Sequence, residues 1–302
     1  MNQRHRVFCS QFAWKTVRLL QRTRLIGRMS YIVDARINGH RMRIPIERGV
    51  GVNSLVDNEP WSHRIYAVLL AKFPGTFIDV GVNVGQTLMR IRTMKPGAPY
   101  IGFEPNGVCV AYVKRLMQLN PVLEAPLVAA GLSDHDGDAT LTMNNDSMSD
   151  DGASLVNDFR PGQTVHHRMP VRIMRFETAQ REHTIGTAGV VKIDVEGSER
   201  EVLRSMQAMI QSERPALVLE ILPVGRASNT DRLTRQQDIE ALFASLGYRM
   251  LRIHNMGEQS RLERMEAPIG IHDDQRLANF VVVPQEREAE LLPLLERAVL
   301  QQ

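Results

Sequence analysis

The sequence predicts an α/β protein: a doubly wound, mostly parallel sheet with helices on both faces, preceded by an N-terminal β-hairpin. Three observations support this. From residue 76 onward, short apolar runs alternate with amphipathic helical stretches. The runs are near-continuously apolar, as strands buried on both faces must be. Glycine and asparagine mark the turns between them.

Taken in order, the chain begins with a basic segment over 1–30. No acidic residue precedes Asp34, while Arg4, Arg6, Lys15, Arg18, Arg22, Arg24 and Arg28 are all basic. Apolar residues interleave at roughly helical spacing. This predicts a solvated leader helix or a surface for an anionic partner, with peripheral membrane contact as one form of the latter. Residues 31–75 form the next unit. YIVDARINGHRMRIPI alternates around Asn38-Gly39, a dipeptide suited to tight hairpin turns, and PWSHRIYAVLLAK has helical periodicity before the Pro74-Gly75 breaker.

The main domain spans 76–302. Its expected strands are 76–80, 99–104, 127–132, 190–195 and 215–221, and its helices 86–94, 107–119, 199–212 and 235–246, with a last helix from Glu286. Asn120-Pro121 closes the second of these helices. Ser198 and Glu201 fit a capping box for the third, and Thr234 and Gly247 bracket the fourth. An insert of about 133–189 is too long for an ordinary connection, so it should carry extra strands or a lid, with SMSDDGAS as its loosest part.

Composition limits the options further. The chain has 302 residues, 43% hydrophobic and 24% charged, with a formal charge of +3, which is ordinary for a globular protein. Cys9 and Cys109 match no disulfide, zinc or redox spacing. No apolar run long enough to cross a membrane and no secretory signal stands out, so a cytoplasmic location is expected. The oligomeric state has no signature in the sequence.

The stretch FIDVGVNVGQT carries the first functional signal. Asp79 ends a strand, Gly81 permits a sharp turn, Asn83 tolerates positive φ, and Gly85 lets the next helix approach. A dinucleotide site would want G-x-G-x-x-G, and the middle glycine is absent here. An acid before the turn suits a ligand bearing an ammonium, such as S-adenosylmethionine. Glu104, about twenty residues on, can accept from ribose hydroxyls. That feature taken alone fits NAD as well, and Asp79 and Asn83 could instead stabilise the turn while Glu104 caps a helix.

FIDVGVNVGQT, GFEPN, VAAGLSDHDGDATL, VVKIDVEGSEREVL, PALVLEI and NFVVVP together resemble, in that order, the FkbM family of S-adenosylmethionine-dependent methyltransferases. The resemblance spans about 76–284. It implies a class I methyltransferase fold, a seven-stranded sheet with an antiparallel last strand, and methyl transfer to a hydroxyl of a sugar, glycan or natural product. By position it implies that Asp79, Gly81, Asn83 and Gly85 line the methionine end of the cofactor. Glu104 and Asn106 would meet the ribose, and Ser133 and Asp134 the adenine.

At the fourth strand, KIDVEG places two acids two residues apart, which in extended chain point the same way. Asp194 is then a candidate for positioning acceptor or cofactor, and Glu196 an acceptor contact or base; the alternative is an ion network with Lys192. Glu199 and Glu201 belong to a first helical turn, where acids are favoured anyway. Glu220 is a further cleft candidate, and Asp194, Glu196 and Glu220 could share a divalent cation, although no spacing demands a metal. His166, His167, His183, His254 and His272 are loop or strand-end residues that the sequence cannot rank as bases. Two rival functions stand beside the first: an NAD-dependent oxidoreductase, and an RNA or protein methyltransferase. Only 5% of residues are aromatic, which argues against nucleic acid as partner.

Overall fold

The computed structural model describes residues 6–57, 59–145, 147–150, 152–156, 159 and 162–300. Arg4 of the basic segment and Asp151 of the SMSDDGAS stretch lie outside them. The labelled strands are β1 (Ser30–Ile37), β2 (His40–Glu47), β3 (Thr76–Val80), β4 (Tyr100–Phe103), β5 (Leu127–Val128), β6 (Gly137–Met143), β7 (His167–Met174), β8 (Ala188–Ile193), β9 (Ala216–Glu220), β10 (Tyr248–His254), β11 (Arg261–Arg264) and β12 (Asn279–Pro284). The helices are α1 (Gln11–Arg22), α2 (Pro60–Lys72), α3 (Gln86–Met94), α4 (Gly107–Leu119), α5 (Phe176–Glu182), α6 (Glu199–Glu213), α7 (Thr230–Ser245) and α8 (Glu288–Leu300).

The central sheet has eight strands in the order β11-β10-β12-β9-β8-β3-β4-β5. Pairings from β9 through β8, β3 and β4 to β5 are parallel. β12 runs antiparallel to both β9 and β10. The expected antiparallel last strand is therefore present. An eighth strand, β11, adds to the edge beyond the seven expected, antiparallel to β10. Strand order reverses between β3 and β8, which opens a crevice at their carboxyl ends.

One core lies on each face of the sheet. Phe77, Val190, Val218 and Val281 meet Ile65 and Leu69 of α2 and Leu291 and Leu295 of α8. On the other face, Ile78, Val191, Leu217 and Phe280 meet Val202 and Met206 of α6 and Phe243 of α7. Strands that are apolar on both faces need this double cover.

Several local expectations are corrected. The run 127–132 divides: Leu127–Val128 joins the central sheet, while Gly131–Leu132 pairs with β7. β6, β7 and residues 131–132 form a separate three-stranded sheet, the extra strands of the insert. Ser198 makes no capping bond to α6. Glu199 instead reaches back to the turn before the helix, its Oε1 accepting from Gly197 N at 2.9 Å. α7 begins at Thr230, and Thr234 lies inside it, its hydroxyl donating to Thr230 O. No helix among the described residues is long and apolar enough to cross a membrane.

The N-terminal hairpin is welded to the sheet domain. Val33, Met42, Ile44 and Ile46 share the core of α4 residues Tyr112, Val113 and Leu116. Asn120 clamps the edge of β2: its Oδ1 accepts from Arg43 N at 2.8 Å, and its Nδ2 donates to Arg43 O at 2.9 Å and Leu116 O at 2.8 Å. Removing that side chain leaves the Arg43 and Leu116 backbone groups, partly or fully buried, without this partner. Asn120→Ala is therefore expected to lower unfolding free energy by about 2–3 kcal/mol in denaturant titration, whereas a surface change such as Lys114→Ala should stay within about 0.5 kcal/mol.

Candidate functional site

The crevice is lined by the glycine turn, the ends of β4, β8 and β9, the start of α2, and the insert. At its base, Lys192 of β8 is buried between two acids. Its ammonium donates to Gly81 O at 2.7 Å and lies 3.4 Å from both Asp79 Oδ1 and Asp194 Oδ2. Burial alone would lower its pKa, but Asp194 and then Asp79 outweigh burial and hold it above the ordinary lysine value. Asp79 is fully buried and also accepts from the Tyr100 hydroxyl at 2.6 Å. Burial pushes its carboxyl up, against the pull of Lys192 and Tyr100.

Gly81 is fixed by contact as well as by conformation. At φ +85° it passes so close to the end of β8 that a Cβ there would meet the carbonyl oxygen of Asp194. Asn83 follows with φ 48°. The turn is then held from β4: Glu104 Oε2 accepts from Asn83 N at 2.7 Å and Oε1 from Asn106 N at 2.8 Å. Burial raises the Glu104 pKa to about 7, with the Asn106 and Asn83 amides opposing it. Each oxygen keeps a second lone pair, so this buried carboxylate still has acceptor capacity for a diol. Asn106 caps α4, accepting from Val108 N at 2.9 Å, and its amide donates to Met148 O of the insert at 2.8 Å.

At the mouth, Glu196 is not in extended chain. β8 ends at Ile193, and Glu196 has φ 54°, with Gly197 at φ 109° behind it. The two-residue alternation argument therefore does not apply. A tight turn, held by Ser154 Oγ donating to Glu196 O at 2.7 Å, does the gathering. Asp194, Glu196 and Glu220 come together with carboxylate oxygens within 4.8 Å of one another. Burial, then the charges of Asp194 and Glu196, push Glu220 well above the usual carboxyl range.

Of the residues expected from sequence, Gly81, Asn83, Glu104, Asn106, Asp194 and Glu196 line the crevice, and Glu220 joins them. Four do not. Asp79 faces Lys192 and Tyr100 beneath the turn. Gly85 packs against Val113 and Leu116 of α4. Ser133 continues the side sheet, its N–H donating to Met174 O. Asp134 points outward to His135, 2.9 Å from Nδ1. On that side the wall is an apolar slot of Pro105, Gly131 and Leu132 with Leu141 and Leu155 of the insert. A Cβ on Gly131 would lie 3.2 Å from Leu155, so the slot is already narrow.

Sequence reasoning also missed the wall made by α2 and α3. Arg90 is buried there, donating to Glu59 Oε2 at 3.0 Å and Asp57 Oδ1 at 3.3 Å, beside Trp61. Glu59 ahead of a proline-initiated helix was the available signal. None of the five histidines lines the crevice. Glu199 and Glu201 are structural, Glu201 pairing with Arg200 and Arg235.

Charge is lopsided: among the described residues of the wall, Glu59, Glu104, Asp150, Asp194, Glu196 and Glu220 face only Arg90 and Lys192. Such a crevice favours cationic ligands and repels phosphates.

Several solved methyltransferase structures are similar to parts of this chain. The crystal structure of methyltransferase FkbM from Methylobacillus flagellatus KT is 14% identical with a TM-score of 0.41, covering 70% of this chain and 43% of its own. This chain thus spans under half of that protein. A putative O-methyltransferase from Klebsiella pneumoniae is 10% identical, TM-score 0.43, covering 76% and 82%. The precorrin-6y C5,15-methyltransferase of Geobacter metallireducens GS-15 is 14% identical, TM-score 0.35, covering 72% and 84%. No curated protein matches. A family model described as the methyltransferase FkbM domain matches residues 79–250, more than half of the chain. On that match, the protein belongs to the FkbM methyltransferase family.

Proposed function

We propose that the protein transfers a methyl group from S-adenosylmethionine to a hydroxyl oxygen of a small-molecule or glycan acceptor. The acidic crevice carries this reading. A donor with a sulfonium and an ammonium and no phosphate suits a wall of six acids and two bases, whereas the pyrophosphate of NAD and the backbone of RNA do not. The donor set fits part by part. Glu104 offers spare acceptor capacity for ribose hydroxyls, the slot of Leu132, Leu141 and Leu155 takes a planar ring, and the turn at Gly81 and Asn83 presents backbone toward the amino-acid end.

When bound, the donor supplies an electrophilic methyl group. The chain's own residues hold an acceptor oxygen in line with it, and most of the rate comes from that positioning. Asp194, fixed by Lys192, orients the acceptor, and Glu196 or Glu220 takes the hydroxyl proton as charge develops.

The decisive assay presents labelled S-adenosylmethionine with panels of sugars, lipid-linked glycans and polyketides. Label on an ether oxygen of one class supports the proposal. Label on nitrogen, or calorimetric binding of NAD in place of S-adenosylmethionine, overturns it.

A pH dependence follows from Glu104. The diol needs the charged carboxylate, and the free protein holds that group at a pKa of about 7. Below that value binding must first expel a proton, so donor affinity should fall about tenfold per pH unit toward pH ~5.5 and level off above pH ~8. Calorimetry should show this slope in the wild type and lose it in Glu104→Gln, with affinity about tenfold weaker at pH ~8. Equal affinities would remove Glu104 from the site.

We also propose that α1 meets an anionic membrane surface. Phe12 and Leu19 are 82% and 60% exposed on the same side as Lys15 and Arg22, while Val17 turns inward. Co-sedimentation with phosphatidylglycerol vesicles should exceed that with phosphatidylcholine and drop roughly tenfold in Phe12→Ser/Leu19→Ser. Equal binding to both vesicles would refute it.

A further inference from the structure

The amino-acid end of S-adenosylmethionine carries an ammonium and a carboxylate, and the glycine turn has little left to offer either. Gly81 N and Val82 N donate to Phe103 O at 3.0 and 3.2 Å, Asn83 N to Glu104 at 2.7 Å, and Gly85 N to Val82 O at 2.9 Å. Those four N–H groups are spent inside the protein. Asp79 is sealed beneath the turn against Lys192 and Tyr100. Charged groups taken into a crevice need partners there, so both ends of the zwitterion must be met from another wall.

The wall at the start of α2 supplies one group of each kind. Glu59 stands at the N-cap of that helix, but its side chain makes no capping bond and lines the crevice instead. Its Oε2 accepts from Arg90 at 3.0 Å, while Oε1 is taken by no described residue and the side chain is 37% exposed. Arg90 also pairs with Asp57 at 3.3 Å. Two carboxylates thus share one guanidinium, and one negative charge is left over. Two residues on, Trp61 is 2% exposed and lines the same crevice. Its indole N–H has no hydrogen-bond partner among the described residues. An indole N–H can only donate, and a buried donor left alone is a standing cost that a ligand's acceptor relieves.

We propose that Glu59 and Trp61 hold the α-amino-acid end of S-adenosylmethionine, Glu59 taking the ammonium and Trp61 donating to the carboxylate. The assignment deepens the reading of the crevice as a donor site and rests on it. Both residues precede the glycine turn and belong to the unit 31–75. The donor is then gripped from two parts of the chain, its ribose by Glu104 of β4 and its amino-acid end by α2.

The test is calorimetry on the full chain at pH ~8, without acceptor, using three probes. S-adenosylhomocysteine carries the whole amino-acid end, its des-amino analogue lacks the ammonium, and 5′-methylthioadenosine lacks both charged groups. Glu59→Gln should bind S-adenosylhomocysteine about tenfold more weakly than the wild type and the other two probes unchanged. Trp61→Phe, used if its melting profile shows a folded chain, should lose about tenfold on the first two probes and nothing on the third. Glu59→Gln is half-exposed and carries the test by itself if Trp61→Phe does not fold. Wild-type affinity of Glu59→Gln for S-adenosylhomocysteine overturns the assignment, as does an equal loss on 5′-methylthioadenosine. A wild type that binds 5′-methylthioadenosine as tightly as S-adenosylhomocysteine overturns it too. Because no acceptor is present, a transfer assay that places label on nitrogen sinks the hydroxyl reading alone and leaves this assignment standing.

Discussion

A lysine ammonium buried where two parallel strands end must be neutralised by whatever those strands bring to it, and Lys192 meets three groups there. It reaches Asp79 on β3, Asp194 just past β8, and the Gly81 carbonyl in the turn between β3 and α3. A buried charge with fewer partners would be heavily penalised. The same three contacts fix the distance between β3 and β8 at the point where strand order reverses. Asp194 can therefore stand at the mouth of the crevice as a carboxylate, and Gly81 must be glycine because the tie draws its backbone against Asp194.

From this tie the site grows in two directions. Toward β4, Glu104 carries the turn through the Asn83 and Asn106 amides, and Asn106 passes the connection to the insert through Met148. Toward β9, Asp194 meets Glu196 and Glu220. One arm is polar and closely hydrogen-bonded, and the other is crowded with like charge. The crevice lies between the two arms.

The parts of the fold written in local pattern were legible. α3 and α4 begin and end where periodicity and the Asn120-Pro121 stop put them, and β3 carries its apolar run as expected. β10 and β11 were not among the expected strands, because Arg249 and Arg252 interrupt the apolar pattern of the first and RLER is mostly charged. Arg252 is buried across the Phe280 ring and donates to Ile269 O at 3.0 Å, partners 28 and 17 positions away. Asp79 shows the same limit at the site. Its place after an apolar run suggested a ligand contact, but Tyr100 and Lys192 claim it across strand pairs that no local signal reveals. Glu196 was found for a reason that does not hold: the extended-chain argument chose it, and a positive-φ turn delivers it. The slot beside Leu132 was missed because half of it comes from the insert.

The antiparallel strand has a consequence in time. β12 is the last strand in the sequence, yet it lies inside the sheet, between β9 and β10, which precede it. During synthesis those two strands have unpaired inner edges until residues 279–284 arrive, long after the residues of the glycine turn have been made. Asn279 opens that strand opposite Glu220. Closing the sheet and completing the crevice mouth are thus one event, since the wall at Glu220 and Asn279 is finished only when that strand is in place.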